Sequence, residues 1–403
     1  MSSALNSFRT SGNASRRIQS ILSQLHKARA RNMSSSEVPK VAILDDYLGV
    51  SKPHFAHIPP SKCSITTFTD TLPPYGHPKT TAAQNDALVA RLQPFHVLCT
   101  MRERTAFPRA LFERLPNLRL LLVTGTQFNT FDMSVAAEHG VAVAAASGRP
   151  RAGVPPAGSA TRKAAGAVHT VQHTWALVLA LARNVSADDR SIKAGGWQTG
   201  MTTGLAGKTL GLVGLGRLGA RTGKVGFESW GMKIICWSSS LTQEKADQMA
   251  REMGLPVTDE DGDKTFRVVS KEELFREADV VSVHYQLSER SVGIVGKKEL
   301  GLMKKTAFIV NTSRGPLVDE DALVDALERG VIKGAAVDVY DIEPLPKDSP
   351  LRSSKWGTEG RGQLLTTPHM GYVEDETINN WYAEEAENLE RWLDGKELLN
   401  RMY

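Results

Sequence analysis

Residues 209–219 read TLGLVGLGRLG. The run LGLV leads straight into Gly214, Gly216 and Gly219, spaced G-x-G-x-x-G. That spacing is informative only when a strand feeds it and a helix leaves it, the context that the flanking residues supply. The first glycine permits a tight turn and the second lets backbone N–H groups approach a pyrophosphate. The third lets helix and strand pack closely, and the helix start adds partial positive charge. The competing reading is a glycine-rich turn with no ligand. Gly223 and Gly226 weigh toward that alternative, since each costs a helix about 1 kcal/mol relative to alanine.

Working outward, KIICW (233–237), ADVVSVHY (278–285), TAFIVNTS (306–313), GAAVDVY (334–340) and GQLLTTPH (362–369) are short apolar runs that stop at polar residues, as buried parallel strands do. With 209–213 they make six strands, which suits a doubly wound α/β sheet. Upstream, VAILDDY (41–47), FHVLCT (95–100), LRLLLVTG (118–125) and GVAVAAA (140–146) alternate with helical pattern and predict a second α/β domain. Between the two lies SGRPRAGVPPAGSATRKAAGA (147–167), with three prolines and almost no large apolar residue, which reads as a flexible loop. TVQHTWALVLALARNV (170–185) is apolar on all sides and predicts a buried helix joining the domains. In the tail, Ile378, Trp381, Tyr382, Leu389, Trp392 and Leu393 share one helical face that ends at Gly395.

The 403 residues suffice for two domains, and 41% hydrophobic content is ordinary for globular chains. The net charge of +5 has a local source: residues 1–32 carry six basic groups and no acid, so the remainder stands at −1. A basic groove for nucleic acid is not indicated, and no apolar run is long enough to span a bilayer. Residues 1–36 are Ser- and Arg-rich, with Ile18, Ile21, Leu22 and Leu25 on one stripe. They fit a mitochondrial presequence or a tail ahead of a start at Met33, which would leave a cytoplasmic protein. Cys63, Cys99 and Cys236 match neither a disulfide framework nor a zinc site, and Cys236 reads as core. No metal site is expected: His54 and His57 lie in a proline-rich stretch without a third ligand.

About 20 residues beyond the glycine turn, a dinucleotide fold places an acid on the ribose 2′-OH. This chain has Ser238 there, followed by Ser239, Ser240 and Thr242, with no acid to repel a 2′-phosphate. The reading leans toward NADP and leaves NAD open. Three polar residues stand just past successive strand ends: Arg314, Glu343 and His369. An arginine there can grip a carboxylate bidentately and a histidine can pass a proton. A carboxylate beside the histidine favours the imidazolium. Arg102 and Arg104, near another strand end, could line a substrate site or simply be solvated.

These stretches, with GKTLGLVGLGRLG, MKKTAFIVNTSRGPLVDEDALVDAL, GAAVDVYDIEPLP and TPHMG in this order, resemble the D-isomer-specific 2-hydroxyacid dehydrogenases. The resemblance implies two Rossmann-like domains with a cleft active site, the cofactor domain (170–369) inserted into a flavodoxin-like substrate domain (37–148, completed by 370–403). Residues 149–169 are then a flexible loop. It further implies an NAD(P)H-dependent reduction of a small 2-oxo acid of the glyoxylate or hydroxypyruvate type, and a homodimer. Arg314 would bind the substrate carboxylate, His369 would protonate the carbonyl oxygen, and Glu343 would hold His369. Gly125 and Thr126 would offer N–H groups to the substrate. Cofactor contacts would come from Gly214, Gly216, Arg217, Leu218, Gly219, Ser238, Ser239, His284 and Thr312, with Asp338 facing the nicotinamide side. Gln286, where the family pattern has proline, departs from the resemblance. A corepressor-like protein that senses dinucleotide on the same fold is the alternative.

Overall fold

The structure, a computed structural model, describes residues 38–126, 130–148 and 165–402. The expected targeting segment and most of the expected flexible loop lie outside them. The chain forms two compact units, Met1–Ser159 with Asp375–Tyr403, and Ala160–Glu374.

The first unit is built on five parallel strands: β1 (Lys40–Ile43), β2 (Ser64–Thr67), β3 (Val97–Thr100), β4 (Leu120–Thr124) and β5 (Ala142–Ala146). Their order, β2-β1-β3-β4-β5, is the flavodoxin-like one. β1, β3, β4 and β5 coincide with the four apolar runs. β2 was not expected: SITT is a mostly exposed edge strand, paired only to β1, so no apolar run announces it. The helix Asp375–Leu393 packs against β4 and β5, burying Ile378, Trp381, Tyr382 and Leu389. Gly395, at φ 67°, ends it, and Lys396 N–H donates back to Arg391 O at 2.7 Å, a Schellman closure.

The second unit holds seven parallel strands: β6 (Thr209–Val213), β7 (Lys233–Trp237), β8 (Arg267–Val268), β9 (Val280–Val283), β10 (Phe308–Asn311), β11 (Gly334–Val337) and β12 (Gln363–Thr366). Read as β8-β7-β6-β9-β10-β11-β12, this is the doubly wound dinucleotide-fold order with one strand added at the end. The strand beyond the six expected is β8, two residues long and half-buried, too short for a sequence pattern.

Two further expectations are corrected. The helix Ala165–Ala182 begins inside the stretch assigned to the flexible loop. Alanines need no burial to favour a helix, so the lack of large apolar residues was a poor boundary signal. Nor is that helix enclosed all round. Val171, Trp175, Val178 and Leu181 pack inward, while Val168, Gln172 and Ala176 form an exposed stripe. The larger unit also continues past 369 to Glu374, because the N–H groups of Met370 and Gly371 are bound by Asp338 of that unit.

Candidate active site

The glycine turn joins β6 to the helix Arg217–Trp230. It is clamped on both sides: Gly214 N–H donates to Trp237 O of β7, and His284 N–H, beyond β9, donates to Val213 O, each at 2.8 Å. Gly214 takes φ +103°, and a Cβ on it would lie 2.8 Å from His284 O. A Cβ on Gly219 would lie 2.1 Å from Gly214 O, so only glycine closes this turn. Gly216 is different: nothing lies within 4 Å of a Cβ there, and it stands exposed at the helix N-cap beside exposed Arg217 and half-buried Leu218. Packing explains the first and third glycines, whereas an open cradle at the second fits a phosphate-bearing ligand at a helix N-terminus. Gly223 and Gly226, which weighed against binding, are packing glycines; a Cβ on Gly223 would press Phe266 and Leu212 at about 3 Å.

Ser238 and Ser239 follow β7 directly. The Tyr285 hydroxyl donates to Ser239 Oγ at 2.8 Å, and Tyr285 stacks on Trp237. His284 Nε2 lies 2.8 Å from Ser282 Oγ, and burial pushes the imidazole down to about 4, so it is neutral near pH 7. Thr312 Oγ1 pairs with Thr174 Oγ1 at 2.7 Å.

Arg314, Glu343 and His369 leave the carboxyl ends of neighbouring strands in register. Asn311 of β10 pairs with Val337 of β11, and Val337 with Thr366 of β12. The Arg314 turn meets the loop after β11 so closely that a Cβ on Gly315 would fall 2.0 Å from Tyr340 carbonyl atoms. On that loop Tyr340 N–H donates to Glu343 Oε1 at 3.1 Å. The other oxygen, Oε2, accepts from His369 Nδ1 at 2.6 Å. The carboxylate therefore fixes the ring and its tautomer, and leaves Nε2 to exchange a proton. Both side chains are about one-fifth exposed, enough for a small molecule to reach them. Tyr372 packs edge-on against the imidazole.

Asp338 is placed differently from the other predicted cofactor residues. Its side chain is 1% exposed and turned toward the protein. Oδ1 accepts from His173 Nε2 (3.1 Å), Thr367 Oγ1 (2.6 Å) and Met370 N–H (2.7 Å), while Oδ2 accepts from Gly371 N–H (2.8 Å). Burial works against its charge, but the bonds from His173, Thr367 and Met370 outweigh it and hold the carboxyl below the usual range. His173 and Thr367 escaped the sequence reading. The one available signal was a histidine at the start of an apolar helical run.

Gly125 and Thr126 belong to the smaller unit. Gly125 takes φ +83° just past β4 and donates to Ala146 O at 2.7 Å, and Thr126 is exposed. His54 pairs with Asn379 and His57 with Glu390. Cys236 is wholly buried in β7, and burial pushes its thiol up to about 12.

The family profile described as "D-isomer specific 2-hydroxyacid dehydrogenase, NAD binding domain" matches residues 175–371. A glyoxylate reductase of Korarchaeum cryptofilum is 31% identical over 69% of this chain and 74% of its own length. This chain belongs to the D-isomer-specific 2-hydroxyacid dehydrogenases. A glyoxylate reductase of Aeropyrum pernix is 38% identical over 58% of the chain and 66% of its own length, so the match spans just under two thirds of that relative. Among solved structures, a phosphoglycerate oxidoreductase of Vibrio cholerae is 31% identical, with TM-score 0.69, covering 89% of this chain and all of that one.

Proposed function

We propose that this 2-hydroxyacid dehydrogenase reduces a small 2-oxo acid of the glyoxylate or hydroxypyruvate type to the D-2-hydroxy acid, using NAD(P)H. The His369–Glu343 pair carries the reading. It is an oriented imidazole, reachable from outside, on the sheet edge that also presents Arg314. The bound dinucleotide supplies the hydride. Arg314 holds the substrate carboxylate by paired N–H bonds. His369 Nε2 delivers the proton to the carbonyl oxygen as negative charge grows there, and Glu343 keeps the ring aimed for the transfer. The glycine turn and the start of the helix Arg217–Trp230 hold the pyrophosphate. Ser238, with no acid beside it, favours NADPH modestly over NADH. The chain works as a homodimer, for which exposed Val168, Val185, Ile192, Trp197 and Met201 offer apolar surface.

The relatives' names divide among glyoxylate, hydroxypyruvate and phosphoglycerate, so the deciding assay is a panel. NADPH and NADH oxidation is followed with glyoxylate, hydroxypyruvate, a phosphorylated 2-oxo acid and bulkier 2-oxo acids. Turnover highest on the two small acids is expected. Binding of dinucleotide without oxidation by any acid would favour the dinucleotide-sensing alternative.

A further inference from the structure

We infer that Tyr285 is a positioning residue for cofactor choice: its hydroxyl orients Ser239 as a donor to the 2′-phosphate of NADPH. The inference deepens the functional reading above and rests on the modest preference for NADPH stated there.

β6 lies between β7 and β9 in the sheet, so the loops that leave β7 and β9 flank the glycine turn on its two sides. Tyr285, just past β9, spans from one loop to the other. Its main chain is fixed beside the turn: a Cβ on Gly214 would lie 3.1 Å from Tyr285 N, and Ser313 Oγ donates to Tyr285 O at 2.8 Å. Its ring stacks on Trp237, the last residue of β7, with centroids 5.8 Å apart and planes 17° from parallel. Its hydroxyl then reaches Ser239, donating to Oγ at 2.8 Å and accepting the Ser239 N–H at 3.3 Å. Packing on Trp237 needs only the ring. The hydroxyl serves a different end, the orientation of an exposed serine.

The tyrosine proton is committed to Ser239 Oγ, so that oxygen accepts there and the serine's own proton must point elsewhere. It meets no acceptor among the described residues. Around it residues 238–243 carry three serines and a threonine and no acid. Lys245 is held nearby, its Nζ donating to Ser240 O at 3.0 Å. The place where a dinucleotide fold puts its ribose selector therefore presents an oriented hydroxyl donor and a neighbouring ammonium, with no carboxylate. A ribose 2′-OH can meet that donor only as a neutral acceptor. A 2′-phosphate accepts from it with charge assistance, in a bond roughly twice as strong. Spacing along the chain points to Ser238, whereas the hydroxyl pair puts the discriminating proton on the next residue.

The test titrates the full chain with NADPH and with NADH, reading nucleotide fluorescence, in the wild type, Tyr285→Phe, Ser239→Ala and the double variant. Tyr285→Phe keeps the ring and its stack on Trp237 and loses only the hydroxyl. The ratio of the NADPH Kd to the NADH Kd should rise by about three- to tenfold in it, and by about tenfold in Ser239→Ala, which removes the donor itself from an exposed position. Because the tyrosine acts through the serine, the double variant should match Ser239→Ala and not show the product of the two changes. Competition by adenosine 2′-monophosphate and adenosine 5′-monophosphate isolates the phosphate: in Tyr285→Phe the 2′ compound should lose displacing power relative to the 5′ one. Equal weakening of both dinucleotides would make Tyr285 a packing residue and overturn the inference, as would an unchanged ratio in Tyr285→Phe or a multiplied effect in the double variant. A wild-type chain that turns over no 2-oxo acid, or that binds NADH the more tightly, would defeat the proposed function instead. The change of ratio among the variants is read from binding alone and would still decide the role of the pair.

Discussion

Each unit buries carboxylates near the carboxyl edge of a parallel sheet or against it, and Asp338 of the larger unit contrasts with Asp45 and Glu385 of the smaller one. In the larger one Asp338 is enclosed, yet four donors converge on it and its carboxyl is held below the usual range. In the smaller one Asp45, just past β1, accepts from the Thr71 hydroxyl on one oxygen while Oδ2 has no partner. Burial pushes Asp45 up to about 6, against weaker opposing pulls from Thr71 and Arg104. Glu385, facing the sheet from the C-terminal helix, has no partner on either oxygen, and burial followed by repulsion from Glu384 drives it well above the usual range. Burial is common to all three, so the donor count decides which way each carboxyl shifts. Four donors hold the Asp338 carboxyl below the usual range, whereas Asp45 and Glu385, short of donors, are shifted toward the protonated form.

The largest effect that would break this contrast lies at His369. His369→Ala should lower kcat by about 10² to 10⁴, the usual share of a general acid, with circular dichroism unchanged. Near-normal kcat would mean that the organised edge is not where the proton comes from.

The two aspartates should respond to the same change with opposite signs. Asp338→Asn puts an amide NH₂ among donors and should destabilise the larger unit by about 2–4 kcal/mol at pH 7. Because the folded carboxyl of Asp338 lies below its unfolded value, its stabilisation is present above about pH 4 and lost as pH falls through the folded value. Asp45 runs the other way. Its folded value of about 6 exceeds the unfolded one, so stability is fullest below about pH 4 and declines until pH passes about 6. Asp45→Asn tolerates the φ of 61° and should stabilise the smaller unit by on the order of 2–3 kcal/mol at pH 7, with no gain at pH 4. Urea unfolding at the two pH values reads both. Equal signs at the two positions would remove the contrast.

A smaller effect separates the glycines. Gly216→Ala fits without a clash and should leave stability within about 1 kcal/mol while weakening dinucleotide binding at least tenfold. Gly219→Ala should lose stability itself. The smallest effect is at Ser238, where Ser238→Asp should lower the NADPH-to-NADH efficiency ratio by about tenfold through repulsion of the 2′-phosphate. An unchanged ratio would place the ribose elsewhere.

The sequence by itself determined the two α/β units, ten of the twelve strands among the described residues, the glycine turn and the Arg314, Glu343 and His369 trio. All of these are local: a buried parallel strand is a continuous apolar run, a phosphate turn is a fixed glycine spacing, and a strand end is where an apolar run stops. The edge strands β2 and β8 are polar or two residues long, and they exist because a neighbouring strand pairs with them. Only the tertiary structure separated the packing glycines Gly223 and Gly226 from the open Gly216, since a glycine's purpose is set by what faces its absent side chain. The same holds for Asp338 and His173. They are 165 residues apart in the chain, and folding brings them within 3.1 Å. Only there do four donors converge on the buried Asp338 carboxylate.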